Sequence, residues 1–404
     1  MIDGKPIKGR GAGGQVRNRF AQRHYADVHW EAIDEPIDEH GQATKYMETH
    51  ARTIVNRVDS PDLPFRWSLN PYQGCEHGCS YCYARPTHEY WGYGAGLDFE
   101  RVVLLKRNAP ELLEKTLRGP QWQVDPIVLS GATDPYQPIE RKERLTRALL
   151  EVLRRYKHPA GLITKNALVL RDVDLLREMA AERLVSVAIS LTTLNEDLRR
   201  RLEPRTSSGL NRLKTIEALR QAGVPVFVMI APIIPALNEP EVPLLLRSAA
   251  DAGALGAGYT VLRTNGAVGE VFEAWLHTHY PDRAAKIMAQ TKALHGGRMS
   301  DTEAGRRMRG EGVFATNIAR LFEVMKRRYF EGRSVPELDR TKFSPPPQGQ
   351  LDLFGPAARG SAVYVWCRAG RAQSGTASIR AAGTRAGRWG ASVEHLLCRA
   401  NGPA

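Results

Sequence analysis

Short apolar runs alternate with longer amphipathic stretches between residues 66 and 265. The runs have strand length, and one amphipathic stretch carries apolar residues at the helical spacing of Leu210, Leu213, Ile216 and Leu219. Such alternation is typical of βα units, whose parallel strands are covered on both faces. The six predicted strands are 66–70, 127–130, 161–164, 185–191, 226–231 and 259–262. The sequence therefore predicts an α/β fold of six βα units, which indicates an incomplete barrel.

The regions that flank this alternation differ from it in composition. Residues 1–60 lack sustained periodicity and predict an extended N-terminal arm, whereas 61–335 predict the barrel together with a helical C-terminal section. The proline-rich stretch within 336–355 indicates a linker. Residues 356–404 are rich in Gly, Ala, Ser and Arg, and they carry too few apolar residues to fold alone. We therefore expect a disordered tail there.

The charge balance favours a polyanionic partner. The chain has 57 basic and 44 acidic residues, a net charge of +13, and such an excess is common in proteins that bind nucleic acid. No run approaches the roughly eighteen apolar residues of a membrane span, and the first residues lack the apolar core of a signal peptide. We therefore expect a cytoplasmic protein without a membrane partner.

Three of the five cysteines lie within eight residues, in the string NPYQGCEHGCSYCYAR. Cys75, Cys79 and Cys82 form a CxxxCxxC pattern directly after the first predicted strand, and Gly74 and Gly78 allow the loop to wrap tightly. A structural zinc site needs four protein ligands, and an iron–sulfur cube normally takes four cysteines. Three thiolates therefore favour a [4Fe-4S] cluster in which one iron keeps an open coordination position.

Two other interpretations of the cysteines are open at this point. A zinc ion completed by His77 or His88 would make the chain a zinc-stabilised module that binds nucleic acid or a clamp. His77 lies between two of the cysteines and would chelate awkwardly, whereas His88 is better placed. Alternatively, the three thiols are unrelated buried side chains.

The cysteine pattern, with Tyr81 just before the third cysteine, resembles the radical S-adenosylmethionine (SAM) superfamily. The strings SGATDPYQPIE, SLTTLNEDLRRRLEPRTSS and APIIPALNEP follow in order. With the cysteine string they resemble the spore photoproduct lyase-like group, many of whose members are labelled DNA repair photolyases. This likeness covers about residues 60 to 330. It implies a partial TIM-type (β/α)6 barrel with the cluster and SAM at the carboxyl ends of the strands, and an external electron donor such as flavodoxin or ferredoxin.

The resemblance also implies the reaction class. An electron from the cluster would cleave SAM, and the resulting 5'-deoxyadenosyl radical would abstract a hydrogen from the substrate. A nucleic acid is the expected substrate, and the alternative is radical modification of a protein or a small molecule. Spore photoproduct lyase uses an additional cysteine near its second strand as a hydrogen donor, but no cysteine lies between Cys82 and Cys367 here. Lesion repair by the same route is therefore not expected.

The same resemblance nominates residues that contact SAM. Besides Tyr81, the segment after the second strand corresponds to the one that holds the amino group of the cofactor, although an ordinary strand-ending turn would use similar residues. Two further residues would meet the methionyl carboxylate, and a final pair would either hold the ribose and carboxylate or form a salt bridge with each other. The segment after the second strand supplies Ser130, Gly131, Thr133 and Asp134. The two residues for the carboxylate are Lys165 and Ser190, and the final pair is Glu203 and Arg205.

A short peptide after the predicted linker resembles the QLxLF motif with which bacterial repair and replication proteins bind the sliding clamp. Its flexible tether would present two apolar anchors to a pocket, with a glutamine at the rim. The competing interpretation is that the peptide docks back on the barrel as a terminal strap. The peptide consists of Gln350, Leu351, Asp352, Leu353 and Phe354.

Overall fold

The computed structural model describes residues 7–20 and 43–347. Its strands are β1 (Lys45–Glu48), β2 (Val55–Arg57), β3 (Trp67–Leu69), β4 (Tyr72–Gln73), β5 (Val102–Leu105), β6 (Ile127–Leu129), β7 (Ala160–Thr164), β8 (Val185–Ser190), β9 (Val226–Ile233) and β10 (Gly256–Val261). Its helices are α1 (Asp98–Arg101), α2 (Ala109–Leu117), α3 (Glu140–Glu143), α4 (Leu145–Arg155), α5 (Val173–Ala181), α6 (Glu196–Leu202), α7 (Gly209–Gln221), α8 (Val242–Asp251), α9 (Ala267–His279), α10 (Pro281–Leu294), α11 (Arg306–Arg309) and α12 (Gly312–Phe330). None of these described helices is long and apolar enough to cross a membrane.

Seven strands form the main sheet, in the order β10-β9-β8-β7-β6-β3-β2. All neighbours are parallel except β2 and β3, which form an antiparallel pair. The six parallel strands are the six that the sequence predicts, so the predicted α/β fold with a parallel sheet is confirmed. A smaller sheet has the strand order β1-β5-β4, and its strand β4 belongs to the segment that follows β3.

Strand β10 begins three residues before its predicted start. The sequence does not predict a strand at Gly256 and Gly258, because glycine has low strand propensity. Both face the ring of Phe227 on β9, where a Cβ at Gly258 would lie 2.9 Å from the ring and a Cβ at Gly256 3.1 Å. Glycine therefore allows the two strands to pair around a bulky aromatic side chain.

The main sheet is strongly curled, because Tyr83 contacts residues that follow two distant strands. Its hydroxyl donates to the carbonyl oxygen of Gly131 (2.8 Å) just beyond β6, and its ring lies 5.0 Å from the guanidinium of Arg263 just beyond β10. In a flat sheet, the four spacings between β6 and β10 would separate them by about 19 Å. One tyrosine spans the gap here, so the carboxyl ends of the strands curve around a mouth, as in a partial barrel.

The opposite, amino ends of the strands are covered by residues 331–347, which we call the basal segment. The amide of Asp339 donates to the carbonyl of Arg183 (2.9 Å), and the amide of Ser344 donates to the carbonyl of Tyr156 (3.0 Å). Arg183 and Tyr156 each lie shortly before a barrel strand. The described part of the predicted linker, 336–347, thus contacts the end of the barrel that lies away from the cysteines.

Replacing Phe343 of the basal segment by alanine should lower the free energy of unfolding by about 1–3 kcal/mol, because the half-buried ring loses apolar contacts. The Phe343 ring packs edge-on against His158 (5.4 Å), whose Nε2 accepts a hydrogen bond from Trp122 (3.2 Å). Phe314→Ala, at an exposed position of α12, is the matched control and should change stability by less than about 0.5 kcal/mol. Equal urea-denaturation midpoints for the two variants would show that the basal segment does not stabilise the barrel.

Candidate functional site

The loop that carries the three cysteines, residues 74–83, depends on two glycines. Gly74 has φ +81°, and a Cβ there would lie 2.3 Å from the carbonyl oxygen of Val102. Gly78 has φ +65°, and a Cβ there would lie 2.8 Å from a carboxylate oxygen of Glu100. A side chain at either position would be strained and would clash. The tight wrap that the sequence predicts is therefore confirmed in this cysteine loop.

The three thiols are free and influence one another electrostatically. Cys75 and Cys79 are buried, and Cys82 is partly buried. Burial raises the pKa of the Cys82 thiol to about 11, and the negative charge of Cys75 adds to this effect. Burial also raises the pKa of Cys79, followed in size by the effect of the Glu203 carboxylate. The three thiols thus lie on one short, largely buried loop and affect one another's ionisation.

Hydrogen bonds from two neighbouring segments fix the backbone of the cysteine loop. The amide of Cys75 donates to the carbonyl of Phe99 (2.8 Å). The side chain of Gln137 accepts from the amide of Glu76 (3.0 Å) and donates to the carbonyl of Gly74 (3.1 Å). Because Gln137 is fully buried, these bonds are protected from water and hold the first cysteine in place.

A buried ion pair holds the backbone of the second cysteine in place. Arg85 donates from Nε and Nη2 to the carbonyl oxygen of Cys79 (3.1 and 2.8 Å), and it pairs with Glu100 at 2.5 Å. The Glu100 carboxylate also accepts from the backbone amides of Gly11 (3.0 Å) and Ala12 (2.8 Å). Glu100 therefore links the cysteine loop to the N-terminal segment.

The described part of the predicted N-terminal arm, residues 7–20, lies directly against the cysteine loop. Arg10 is buried and donates to the carbonyl of Glu100 (2.6 Å). A Cβ at Gly11 would lie 1.7 Å from the carbonyl oxygen of Gly78, so only glycine fits there. Arg19 pairs with Glu89 (3.0 Å). This segment is part of the scaffold of the site.

The segment after β6 has an unusual backbone. Ser130 and Gly131 have φ values of 146° and 113°, and a positive φ is uncommon for a residue with a side chain. Asn70, which follows β3, accepts from the amide of Thr133 (3.2 Å), and Thr133 donates its hydroxyl to the carbonyl of Tyr72 (3.1 Å). Such a strained turn, held by its surroundings, is more typical of a ligand-binding site than of a plain strand end.

Asp134 connects this turn to the neighbouring strand and to the cysteine loop. It accepts from the hydroxyl of Thr164 (2.7 Å), from the amide of Lys165 (2.7 Å) and from Nδ1 of His77 (3.4 Å). Burial raises the pKa of Asp134, but His77 and the hydrogen bonds from Lys165 and Thr164 together more than offset this, so that the net shift is downward. Asp134 is thus held as a carboxylate that orients the ends of β6 and β7.

Glu203 is the centre of a buried polar cluster at the carboxyl ends of β7 and β8. It accepts hydrogen bonds from the hydroxyls of Tyr81 and Thr192, and it pairs with Arg212 (2.5 Å) and with the ammonium of Lys165 (3.5 Å). Burial raises the pKa of Glu203, but Arg212 and Lys165, together with the hydrogen bonds from Tyr81 and Thr192, more than offset it and bring the pKa well below its usual range. Glu203 therefore stays ionised and holds Tyr81 and Lys165 side by side.

The other two nominated residues take different places. Arg205 does not pair with Glu203, so that alternative is wrong. Its guanidinium instead contacts Glu76 (3.3 Å) and the carbonyl of Gly9 (3.1 Å). Ser190 is buried at the end of β8, and its carbonyl accepts from Arg212 (2.9 Å). Tyr81, Lys165 and Glu203 thus form one cluster, while Arg205 lies with Glu76, next to the first cysteine.

The two histidines considered as zinc ligands differ in their contacts. His77 contacts Asp134 (3.4 Å) and Asn166 (3.2 Å). His88 stacks on Tyr93 (5.1 Å), and neither of its buried ring nitrogens has a hydrogen-bond partner among the described residues. Within the described residues, no group of three His, Cys, Asp or Glu side chains could hold one metal ion. An iron–sulfur cube binds each thiolate through a separate iron, so its ligands lie further apart than the ligands of a single zinc ion.

The sequence matches one family model and several uncharacterised proteins. Residues 69–249 match the model of the radical SAM superfamily. An uncharacterised protein of Mycobacterium tuberculosis is 36% identical over 244 residues, which cover 60% of this chain and 72% of the relative. An uncharacterised protein of Methanocaldococcus jannaschii is 30% identical over 196 residues, which cover 48% of this chain and 70% of the relative.

The fold comparison points to the group that the sequence resembles. Spore photoproduct lyase complexed with dinucleoside spore photoproduct superposes with a TM-score of 0.52 at 17% identity, covering 71% of this chain and 80% of that chain. At this identity the likeness concerns the fold alone. The match to the family model, together with the curled parallel sheet, shows that this chain belongs to the radical SAM superfamily and is an enzyme of that superfamily.

Proposed function

We propose that Cys75, Cys79 and Cys82 hold a [4Fe-4S] cluster whose fourth iron binds SAM. The observation that carries this proposal is the set of three free thiols on one loop at the carboxyl ends of parallel strands. The residues fit the group, because the donors are all sulfur and a glycine-dependent loop surrounds them. When bound, the cluster and SAM supply a 5'-deoxyadenosyl radical that abstracts hydrogen.

The protein's own side chains would orient SAM. Lys165 offers a compact positive charge for the methionyl carboxylate, and Glu203 (3.5 Å away) holds that ammonium in position. Tyr81 lies beside it, with its ring 5.7 Å from the Lys165 nitrogen. The strained turn at Ser130 and Gly131 would hold the amino group, with Thr133, Asp134, Ser190 and Arg205 as further candidate contacts or supports.

Lys165→Met tests this assignment separately from the cluster. Removing one charge-assisted hydrogen bond costs about 1.5–3 kcal/mol, so the affinity for SAM should fall roughly 10- to 100-fold. Iron content should not change, since Lys165 is not a ligand. Lys115→Met, at an exposed position of α2, is the matched control. Equal SAM affinities of both variants in equilibrium dialysis would remove Lys165 from the SAM site.

We propose a nucleic acid as the substrate. The net charge of +13 supports this, as does the solved complex of spore photoproduct lyase with a dinucleoside lesion. Because no cysteine lies between Cys82 and Cys367, we expect a reaction other than lesion repair through a cysteine hydrogen donor. The competing proposal is radical modification of a protein or small molecule.

The reconstituted enzyme should bind a single-stranded oligonucleotide, with an affinity that falls steeply as salt is added. For Z neutralised phosphates, the logarithm of the binding constant falls with a slope of about −0.7Z against the logarithm of the salt concentration. Fluorescence anisotropy of a labelled oligothymidylate at several salt concentrations measures this slope. Absence of binding to DNA and RNA at low salt would favour the protein or small-molecule substrate.

Two partner proposals concern residues and proteins beyond the described structure. An external one-electron donor such as flavodoxin or ferredoxin would reduce the cluster. The clamp peptide, residues 350–354, lies outside the described residues and stays a prediction, as do the domain boundaries at 60, 335 and 355. The peptide begins three residues after Pro347, the last residue of the basal segment.

A further inference from the structure

Arg263, just beyond β10, forms no ion pair within 4 Å with a carboxylate of the described residues. The acidic side chain that influences it, Asp62, is paired with Arg307. Its Nε is buried without a hydrogen-bond partner among the described residues. Its Nη1 contacts only the Met308 sulfur (3.5 Å), which is a weak acceptor. Since guanidinium groups are rarely left without an anionic or carbonyl partner when half-buried, Arg263 is ready to accept a ligand.

The position of Arg263 places it at the mouth of the barrel. Its guanidinium lies 5.0 Å from the centre of the Tyr83 ring, a cation–π contact that fixes the side chain. Tyr83 directly follows Cys82 and is 50% exposed. Its hydroxyl is bonded to Gly131, in the strained turn after β6. Arg263 thus contacts Tyr83 at the end of the cysteine loop, and the same tyrosine is bonded to the turn of the proposed SAM site.

The charges around Arg263 favour an incoming anion. Burial lowers the pKa of Arg263, and the nearby Arg307 adds to this effect. Asp62 is the nearest acidic influence, but it is committed to Arg307 (2.5 Å) and to the amide of Gly305 (2.6 Å). An anion bound at Arg263 would restore the charge balance that its burial disturbs.

We propose that Arg263 binds a phosphodiester group of the substrate strand and thereby positions the adjacent nucleotide at the mouth of the barrel. This inference rests on the proposed nucleic-acid substrate. The planar guanidinium suits two-point binding of a phosphate. Tyr83 beside it is 50% exposed, and an exposed aromatic ring can serve as a stacking surface for a base.

Arg263→Gln tests the assignment in the reconstituted enzyme, with a labelled ten-nucleotide oligothymidylate as the probe. Its affinity should fall roughly 10- to 100-fold, as expected for one charged hydrogen-bond contact. The salt slope should become shallower by about 0.7, the contribution of one phosphate contact. Arg177→Gln, at an exposed position of α5, removes the same charge and should change neither quantity. Arg263→Lys should keep the salt slope and lose part of the affinity.

The outcomes separate this inference from the proposal on which it rests. If the wild type binds the probe and Arg263→Gln matches it in affinity and slope, the Arg263 assignment is overturned and the nucleic-acid proposal stands. If the wild type does not bind the probe, the nucleic-acid proposal fails and the Arg263 assignment fails with it. If Arg263→Gln loses affinity for SAM while probe binding is unchanged, the residue serves the cofactor, which also overturns the inference.

Discussion

Alanine in place of Cys75, Cys79 or Cys82 will abolish the formation of 5'-deoxyadenosine from SAM and will remove most of the bound iron. Each thiolate is expected to bind a different iron of the cube, so the loss of one leaves an iron without a protein ligand. The buried loop offers no replacement, because the described residues contain no further cysteine. Iron content and visible absorbance measure cluster loss independently of activity.

Cys367→Ala and Cys398→Ala are the matched controls for this experiment. Both residues are far in sequence from the CxxxCxxC pattern and lie outside the described residues. Both variants should keep about four iron atoms per chain and wild-type 5'-deoxyadenosine formation. Loss of iron in either control would mean that the ligand set was assigned incorrectly.

The largest effect on stability is expected from Glu100→Gln, with a loss of about 3–5 kcal/mol in the free energy of unfolding. Both members of the Arg85–Glu100 pair are fully buried, so the substitution leaves a buried guanidinium without its counter-charge. The glutamine must also accept from the amides of Gly11 and Ala12 with a single oxygen. The N-terminal segment should therefore detach from the cysteine loop.

An exposed ion pair provides the control for Glu100→Gln. Arg57 and Asp59 pair at 2.7 Å with side chains that are 74% and 73% exposed, and Asp59→Asn should cost no more than about 1 kcal/mol. Adding Arg85→Met to Glu100→Gln should recover part of the lost stability, because the unpaired charge is removed. Urea denaturation of all variants measures these differences. A loss for Glu100→Gln as small as that for Asp59→Asn would contradict the structural role of the buried pair.

The sequence predicts the barrel strands well because their cause is local. Runs of apolar residues mark strands that are buried on both faces. The largest difference at a strand start is in β10, which begins with glycines, three residues before its predicted start. Helix α7 shows where this reasoning fails. Leu210 belongs to its predicted apolar stripe but is 62% exposed. Arg212 belongs to no apolar pattern, and yet it is buried. Arg212 faces the barrel because it neutralises Glu203, and hydrophobic periodicity carries no information about such a pair.

The site shows the same division between local and distant causes. The cysteine spacing and the two loop glycines can be predicted from the sequence, because one short loop contains them. The Arg85–Glu100 pair and the contacts of Asn70 cannot be predicted from the sequence, since the fold brings their partners together. The N-terminal segment lacks periodicity and predicts an extended arm, and residues 7–20 of it lie against the cysteine loop. Its one signal is Gly11, which the contact with Gly78 requires.

Metal analysis of the anaerobically reconstituted protein tests the central claim most directly. We predict about four iron atoms and as many sulfides per chain, and conversion of SAM to 5'-deoxyadenosine and methionine after chemical reduction. Stoichiometric zinc without iron, and no cleavage of SAM, would contradict the assignment of Cys75, Cys79 and Cys82 to a cluster and would support a zinc-stabilised binding module instead.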